Sequence, residues 1–351
     1  MSGFFSLVRI NSYKMKKIFL LVALSVFSFT KAQDLNDLFI SGLEDAERFA
    51  DAYLAPVQEA GIYSISNGWF NTADAKPLGG FEISIIGNIT GFKNKDDKKS
   101  FLLDPNDYDN LDFVENPGQA RQVSTALGDI EGVIVFVQDP DGILPPETFE
   151  LPAGLAAEDF NFVPSGFIQA SVGLIKGLEV KARFLPKINF DDDAEIGLFG
   201  AGIQYEFTKL LPADKLLPVA ISAVIGYTNL SGEYDFTESL DVQGENQSID
   251  ASMRTWNFSA VVSTRKIPVI NFYGALSYIS GTSDIDLLGD YVVTAGPFQQ
   301  TYTDPFTISE DASGVAATLG TKIKLGFFRI NAEYNISEFS TFTAGMSFGF
   351  R

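Results

Sequence analysis

The chain reads as an all-β protein, a transmembrane antiparallel up-and-down β-barrel of about fourteen strands preceded by a helical plug or cap. Three observations predict it. The last eleven residues, Thr341 to Arg351, place Phe342, Ala344, Met346, Phe348 and Phe350 on one face and Thr343, Gly345, Ser347 and Gly349 on the other, because strand side chains alternate with period two. The composition holds 31 glycines and 32 phenylalanines in 351 residues, and turn-rich segments separate short alternating runs. No apolar run in the mature chain reaches the length, about 18 residues, of a spanning helix. The competing reading of the closing strand is an edge of a soluble β-sandwich; an apolar face ending on an exposed aromatic fits a barrel strand better.

Composition also excludes functions. The chain has no cysteine and no histidine, so disulfides, thiolate sites, a lipid-anchoring cysteine and imidazole-based catalysis are absent. We therefore expect no enzyme and no cofactor. Five of the 25 basic residues and none of the 45 acidic ones precede Gln33, so the net charge of −20 becomes −25 once that leader is removed. Such an acidic protein is not built to bind nucleic acid.

Met15 to Ala32 has a basic start at Lys16 and Lys17, an apolar core from Ile18 to Phe29 and a small residue at its end. This is the pattern of a secretory signal peptide. Residues 1–32 are expected to be removed by cleavage after Ala32, with 1–14 an extended leading region. Export places the mature protein in a Gram-negative outer membrane, with outer-membrane lipid and lipopolysaccharide as its surroundings.

Residues 33–80 form the expected plug or hatch. Between Asp34 and Gly61, Leu35, Leu38, Phe39, Leu43, Ala46, Phe49, Ala50, Tyr53, Leu54 and Val57 recur at helical spacing, and Pro56 is expected to kink or end that helix. A loop from Asn67 to Gly80 follows, whose Trp69 and Phe70 should pack in the lumen or at the membrane interface.

Residues 81–351 form the barrel. The expected strands are Phe81–Phe92, Gly132–Gln138, Ser165–Ile175, Gly177–Ile188, Glu195–Thr208, Leu216–Leu230, Glu233–Asp241, Ser252–Arg265, Val269–Ser280, Ile285–Val293, Gln299–Ser309, Gly314–Leu325, Phe327–Asn335 and Thr341–Arg351. Lys93–Asp129 and Asp139–Phe162 read as long outward loops. Gly326 makes a tight join of the periplasmic kind, and the last strand should close the barrel against Phe81–Phe92.

The runs around Gly68 (GWFNTADAKPLGGFEISI), Gly166 (GFIQASVGLIKGLEVKARFLPKI) and Gly197 (GLFGAGIQYEF) resemble an uncharacterised family of Gram-negative outer-membrane barrels. More loosely, a helical segment followed by many strands is similar in architecture to FadL-type channels for hydrophobic compounds. That likeness implies a hatch inside the barrel and a small hydrophobic ligand; it carries over no ligand-binding residue.

Charged residues alternating with apolar ones need water or partners, so they mark the lumen. Glu179, Lys181, Arg183, Glu206, Lys322, Lys324, Arg329 and Glu333 are the lumen candidates; they either neutralise one another in cross-strand pairs or sort solutes by charge. Trp69 and Phe70 are the candidate lining of a hydrophobic ligand site. Asp191–Asp193 and the Asp139–Gly142 turn read as solvated turns rather than calcium sites, and no metal ligand is assigned. The leading functional expectation is passive uptake or binding of small hydrophobic compounds. The alternatives are a non-conducting barrel acting through its acidic loops and a secreted soluble β-protein.

Overall fold

The computed structural model describes residues 39, 41–138, 146–190, 194–212, 216–236, 244–267, 269–295 and 298–350. The leader and the two turns at Asp139–Gly142 and Asp191–Asp193 lie outside them. Ten strands form one closed antiparallel barrel. They are β1 (Phe81–Gly91), β2 (Phe162–Ile175), β3 (Leu178–Phe190), β4 (Ala194–Glu206), β5 (Val219–Asp235), β6 (Ser248–Thr264), β7 (Ile270–Leu288), β8 (Phe306–Leu325), β9 (Phe328–Ile336) and β10 (Thr341–Phe350). Each pairs with its neighbour in sequence, and β10 closes the ring by pairing with β1, Phe81 opposite Phe350 and Thr90 opposite Thr341.

The alternation read from the sequence is the alternation of the wall. In β10 the residues are strictly buried and exposed in turn. Ile83, Ile85, Phe184, Phe199, Ile203, Phe258, Leu276, Val315, Leu319 and Tyr334 are exposed outward, while Ser84, Asn88, Gln169, Thr228, Asn257 and Asn335 are buried inward. The outer surface is therefore a continuous apolar belt.

The count of fourteen strands is corrected to ten. The run at Gly132–Gln138 does form a strand, Ile134–Val137, but in a small sheet outside the barrel. Of the expected Leu216–Leu230 and Glu233–Asp241 strands, Val219–Leu230 and Glu233–Asp235 belong to one strand, the 17-residue β5, which pairs with β6 along its whole length; residues 237–241 lie outside the described residues. Val269–Ser280 runs on into Ile285 within the 19-residue β7, and Ser309 and Gly314 lie in the 20-residue β8. The physical reason is length: about ten residues cross a bilayer, so a break is expected where hydrophobicity fades, yet these strands keep their ladders well past that point. Tyr291 and Tyr302 instead pair in a short hairpin beyond the barrel rim.

The two tightest turns, between β2 and β3 and, at Gly326 in the left-handed region, between β8 and β9, lie at one end together with the longer β4–β5 connection. The longest connections, β1 to β2 and β7 to β8, lie at the other, beside the short β9–β10 turn. The largest, between β1 and β2, is not a loose loop. Its short strands Ser100–Leu103, Leu111–Phe113, Arg121–Ser124, Ile134–Val137 and Glu147–Glu150 make two small sheets. They bury Leu103, Phe113, Val123, Val135 and Val137 against the helix described next.

That helix, α1 (Leu43–Ser66), lies inside the barrel and contacts the inner faces of β1, β2, β5, β6, β7 and β8. Its predicted apolar stripe is the buried one, with Phe49, Tyr53, Leu54 and Val57 in the main core. Pro56 does not end it; the helix continues ten residues further, to Ser66. The chain enters at the long-loop end, where Phe39 packs on Tyr291, Tyr302 and Phe306. The β1–β2 connection forms a cap that clamps this upper half: Ala126 N–H donates to Tyr53 O, Tyr53 OH donates to Ala153 O, and Asp45 accepts the Asp109 and Asn110 amides. Lys98 of the cap reaches Glu59 of α1 at 2.5 Å. Its burial alone would lower the ammonium pKa, but Glu59 and Glu338 hold it above the ordinary lysine value.

Closure of the ring has a direct test, because no native cysteine interferes. Ser84 and Ser347 face each other across the β1–β10 seam with their hydroxyl oxygens 2.9 Å apart. A Ser84→Cys, Ser347→Cys pair should therefore oxidise to an intrachain disulfide, read as a shift on non-reducing gels; an open sheet gives none.

Candidate functional site

A helix ends with carbonyls that lack intrahelical partners and carry a partial negative charge. Here that end is buried at mid-lumen, and the wall supplies the donors. Arg183 on β3 gives Nη1 to Ile65 O at 2.9 Å and Nη2 to Asn67 O at 3.2 Å. Asn257 on β6 donates to Ser66 O, and Asn88 on β1 donates to Ser64 O. Ser66 and Asn67 fold back onto Ile62 O and Tyr63 O. Arg183 is 1 % exposed; its guanidinium lies 3.5 Å from the Trp69 ring centroid and 4.1 Å from that of Phe167, a cation–π pair worth about 2 kcal/mol when desolvated.

Trp69 can lie there because the wall facing it has no side chains. A Cβ on Gly202 would sit 2.7 Å from the indole, and one on Gly226 2.2 Å. Phe70 packs edge-on against Tyr273. Both aromatics are thus in the lumen, tying the plug to the wall.

Below Trp69 the chain from Asn71 to Gly80 is stitched to the wall by charge. Lys76 bridges Glu179 at 3.0 Å and Glu82 at 3.8 Å. Glu179 also holds Lys181 at 2.7 Å, and Glu82 also holds Lys322 at 3.1 Å and Arg329. Glu206 accepts the Ala75 amide at 2.7 Å and pairs with Arg265. Asp74 meets Lys209 at 3.2 Å and Arg265 at 3.5 Å. Glu333 accepts from Tyr273 at 2.8 Å.

The structure thus brings seven of the eight lumen candidates into two sets. Glu179, Lys181, Glu206, Lys322 and Arg329 stitch the loop, while Arg183 and Glu333 lie beside the helix end. Lys324 stands apart, half-buried opposite Arg329 near the short-turn rim. Sequence reasoning missed the partners Lys76, Asp74, Glu82 and Arg265. Glu82 was legible, as a lone acid alternating with Phe81, Ile83 and Ile85; the loop residues carry no such periodicity.

A second feature lies higher in the wall. The ladder between β2 and β3 stops at Ile168 opposite Phe184. Beyond it, residues 162–167 still pair with β1, and Leu185 and residues 188–190 still pair with β4, but the two segments do not pair with each other. Continuing the register would set Gly166 opposite Pro186 and Pro164 opposite Ile188, and proline has no N–H to give a ladder. The β3–β4 register also slips between Leu185 and Ile188.

Behind this gap lies a cavity of about 120 Å³ between α1 and the wall. It is mainly apolar, with Val57, Ile65, Val163, Leu198, Leu230 and Met253 among its lining. Outside the gap is a groove bordered by Ile85, Ile89, Ile168, Ile188 and Phe342. Pro164, Ser165, Gly166 and Leu185 border both. Pro186 inside a predicted strand was the signal for this break.

Fold and site together define a class: an antiparallel barrel occupied by the helix that precedes it and unzipped along part of one seam. The chain belongs to a family of unknown function, DUF6588, whose profile matches residues 15–350. Among curated proteins no sequence matches. Solved structures similar to it include the attachment invasion locus protein Ail of Yersinia pestis with a heparin analogue, sucrose octasulfate (11 % identity, 78 % of this chain and 100 % of that one, TM-score 0.27). The translocator domain of the autotransporter NalP from Neisseria meningitidis matches at 9 % identity, 86 % and 98 % coverage and TM-score 0.32. A Pseudomonas aeruginosa FadL homologue matches at 9 % identity, 81 % and 96 % coverage and TM-score 0.20.

Two substitutions test the anchor. Arg183→Ala leaves the buried carbonyls of Ile65 and Asn67 without these donors and should cost about 3 kcal/mol or more, seen as a lower temperature of the folded-to-unfolded gel shift, together with raised ion conductance in planar bilayers. Gly226→Leu should displace Trp69 and red-shift the tryptophan emission, leaving the barrel folded.

Proposed function

We propose that the protein is an outer-membrane β-barrel that binds or takes up small hydrophobic compounds through the gap between β2 and β3. The membrane part of the reading is supported by the outward belt, whose large exposed residues, from Ile83 and Phe184 to Val315 and Phe350, run around the whole barrel. An apolar patch far above a few hundred Å² is not left in water. The two tightest turns at one end and the two longest connections at the other fit a periplasmic and an external face, and the lumen charges stay shielded behind the wall.

The observation that carries the function is the gap itself. An unpaired strand edge inside lipid exposes backbone groups whose desolvation costs several kcal/mol each. Two prolines remove part of that cost, and an apolar cavity lies directly behind. The lower lumen supports the same route by contrast: the Lys76, Glu82 and Glu179 stitching closes the axis, so the side wall is where an apolar solute meets least polar surface. Glu179, Lys181, Glu206, Lys322 and Arg329 serve in this reading as the lower seal rather than as a charge filter, and Trp69 and Phe70 as anchors of the plug rather than ligand lining.

Restoring the ladder tests it. A Pro164→Val, Pro186→Val variant regains two backbone donors and should zip the seam, lowering uptake of a labelled aromatic solute by Gram-negative cells expressing it at least tenfold relative to wild type. Unchanged uptake in the zipped variant, or wild-type uptake no higher than in cells without the protein, contradicts the reading.

A further inference from the structure

The helix presents one polar side chain to this cavity that has nothing to bind. Gln58 is 2 % exposed, lines the cavity, and neither its Oε1 nor its Nε2 has a hydrogen-bond partner. A buried amide left unpaired is a net cost to the fold, and the cavity it lines is bordered by the apolar side chains already named together with Ser64, Ser165, Ser252 and Ser283. Glutamine offers two donors on nitrogen and an acceptor on oxygen. A partner that satisfies both ends must therefore donate and accept within one small group.

We propose that the cavity takes a neutral amphiphile, a ring-sized or short-chain apolar body bearing one hydroxyl or carboxamide group, which pairs with the Gln58 amide. This rests on the reading of the cavity as a ligand site and assigns its chemical class. Charge selects against the alternatives. The ionisable residues lining the cavity are Glu195 and Glu233, and the ammonium of Lys187 is already paired with Glu195. A carboxylate would find no cation in the lining and two carboxylates at its border. An ammonium only donates, so the Gln58 nitrogen would stay unpaired. A pure hydrocarbon leaves both ends unpaired.

Size follows from the cavity. An engineered apolar cavity of about 150 Å³ holds benzene, so about 120 Å³ suits a single ring. Met253 is the adaptable part of the lining, a flexible thioether whose methyl carbon would lie 2.6 Å from a Cβ on Gly61. Glycine at that position leaves the methionine room beside the helix.

Met253 also supplies the probe. The full mature protein in lipid nanodiscs, labelled with ¹³C at the methionine methyls, is titrated with benzyl alcohol, toluene and benzoate. Met253 reports the cavity, and Met346, exposed on the outer face, reports partition into lipid. The expected result is a saturable Met253 shift, with benzyl alcohol reaching its midpoint at roughly one-tenth the concentration of toluene or benzoate, the size of one net hydrogen bond. Gln58→Leu should erase that preference while toluene still shifts Met253. Gln58→Met, closer in shape, provides the same comparison if the leucine variant fails to fold. Equal midpoints in the wild type, tighter benzoate, or a preference kept in the variant overturns the assignment of ligand class alone. No ligand moving Met253 beyond Met346 overturns the ligand site as well, and with it the proposed function.

Discussion

The structure depends on how a helix end can be buried inside a barrel. Ser66 ends α1 at mid-lumen, where its last carbonyls face no water, and a helix terminus without donors is not tolerated in such a place. Arg183, Asn257 and Asn88 provide those donors from three different strands, so the helix fixes the wall as much as the wall fixes the helix. Arg183 does so as a cation at the negative end of the helix dipole. Trp69, lying between its guanidinium and the bare strand at Gly202 and Gly226, then sets where the descending chain can run. From that point Lys76 and Asp74 reach their wall partners.

This arrangement divides the interior into two chemically different halves. The upper half, at the long-loop end, is a hydrocarbon core shared by α1, the cap and the inner faces of β6, β7 and β8. The lower half is a lattice of ion pairs around Glu82, Glu179 and Glu206. Between them, on one side, β2 and β3 part at Pro164 and Pro186, and Pro164, Ser165, Gly166 and Leu185 stand between the apolar cavity and the groove on the outer belt. A barrel normally removes every strand edge; here a stretch of edge is kept where the sequence also withholds the backbone donors that would close it.

Much of this was legible in the sequence, and the reasons for the rest are physical. Period-two alternation placed Val315, Leu319 and Ile323 outside and Lys322 and Glu333 inside, because a pleated strand allows no other assignment. It also placed Arg183 on the lumen face. It could not say that Arg183 caps a helix more than a hundred residues away, since that contact is made by closure of the whole ring. Strand number was overestimated for the opposite reason: β5, β7 and β8 continue as ladders after their outward residues turn polar, and pattern alone reads a change of solvent as a break in the strand. The long connections were read as polar loops because Lys93–Lys99 and Asp104–Asn110 are so highly charged; the buried residues beside them, Leu103, Leu111 and Phe113, are too sparse to announce a core. Gln58 was invisible, since a glutamine on a helix is ordinarily solvated and only the cavity shows it to be buried.

The central claim, that the end of α1 is locked to the wall inside a closed barrel, is tested most directly by amide hydrogen exchange on the protein in lipid nanodiscs. Slow exchange at the amides of Ile62 to Ser66, comparable to that of the central residues of β3 and β6, is the predicted result. Exchange there at the rate of unstructured chain, with the strands still protected, would show that the helix end is free in the lumen and would contradict the account.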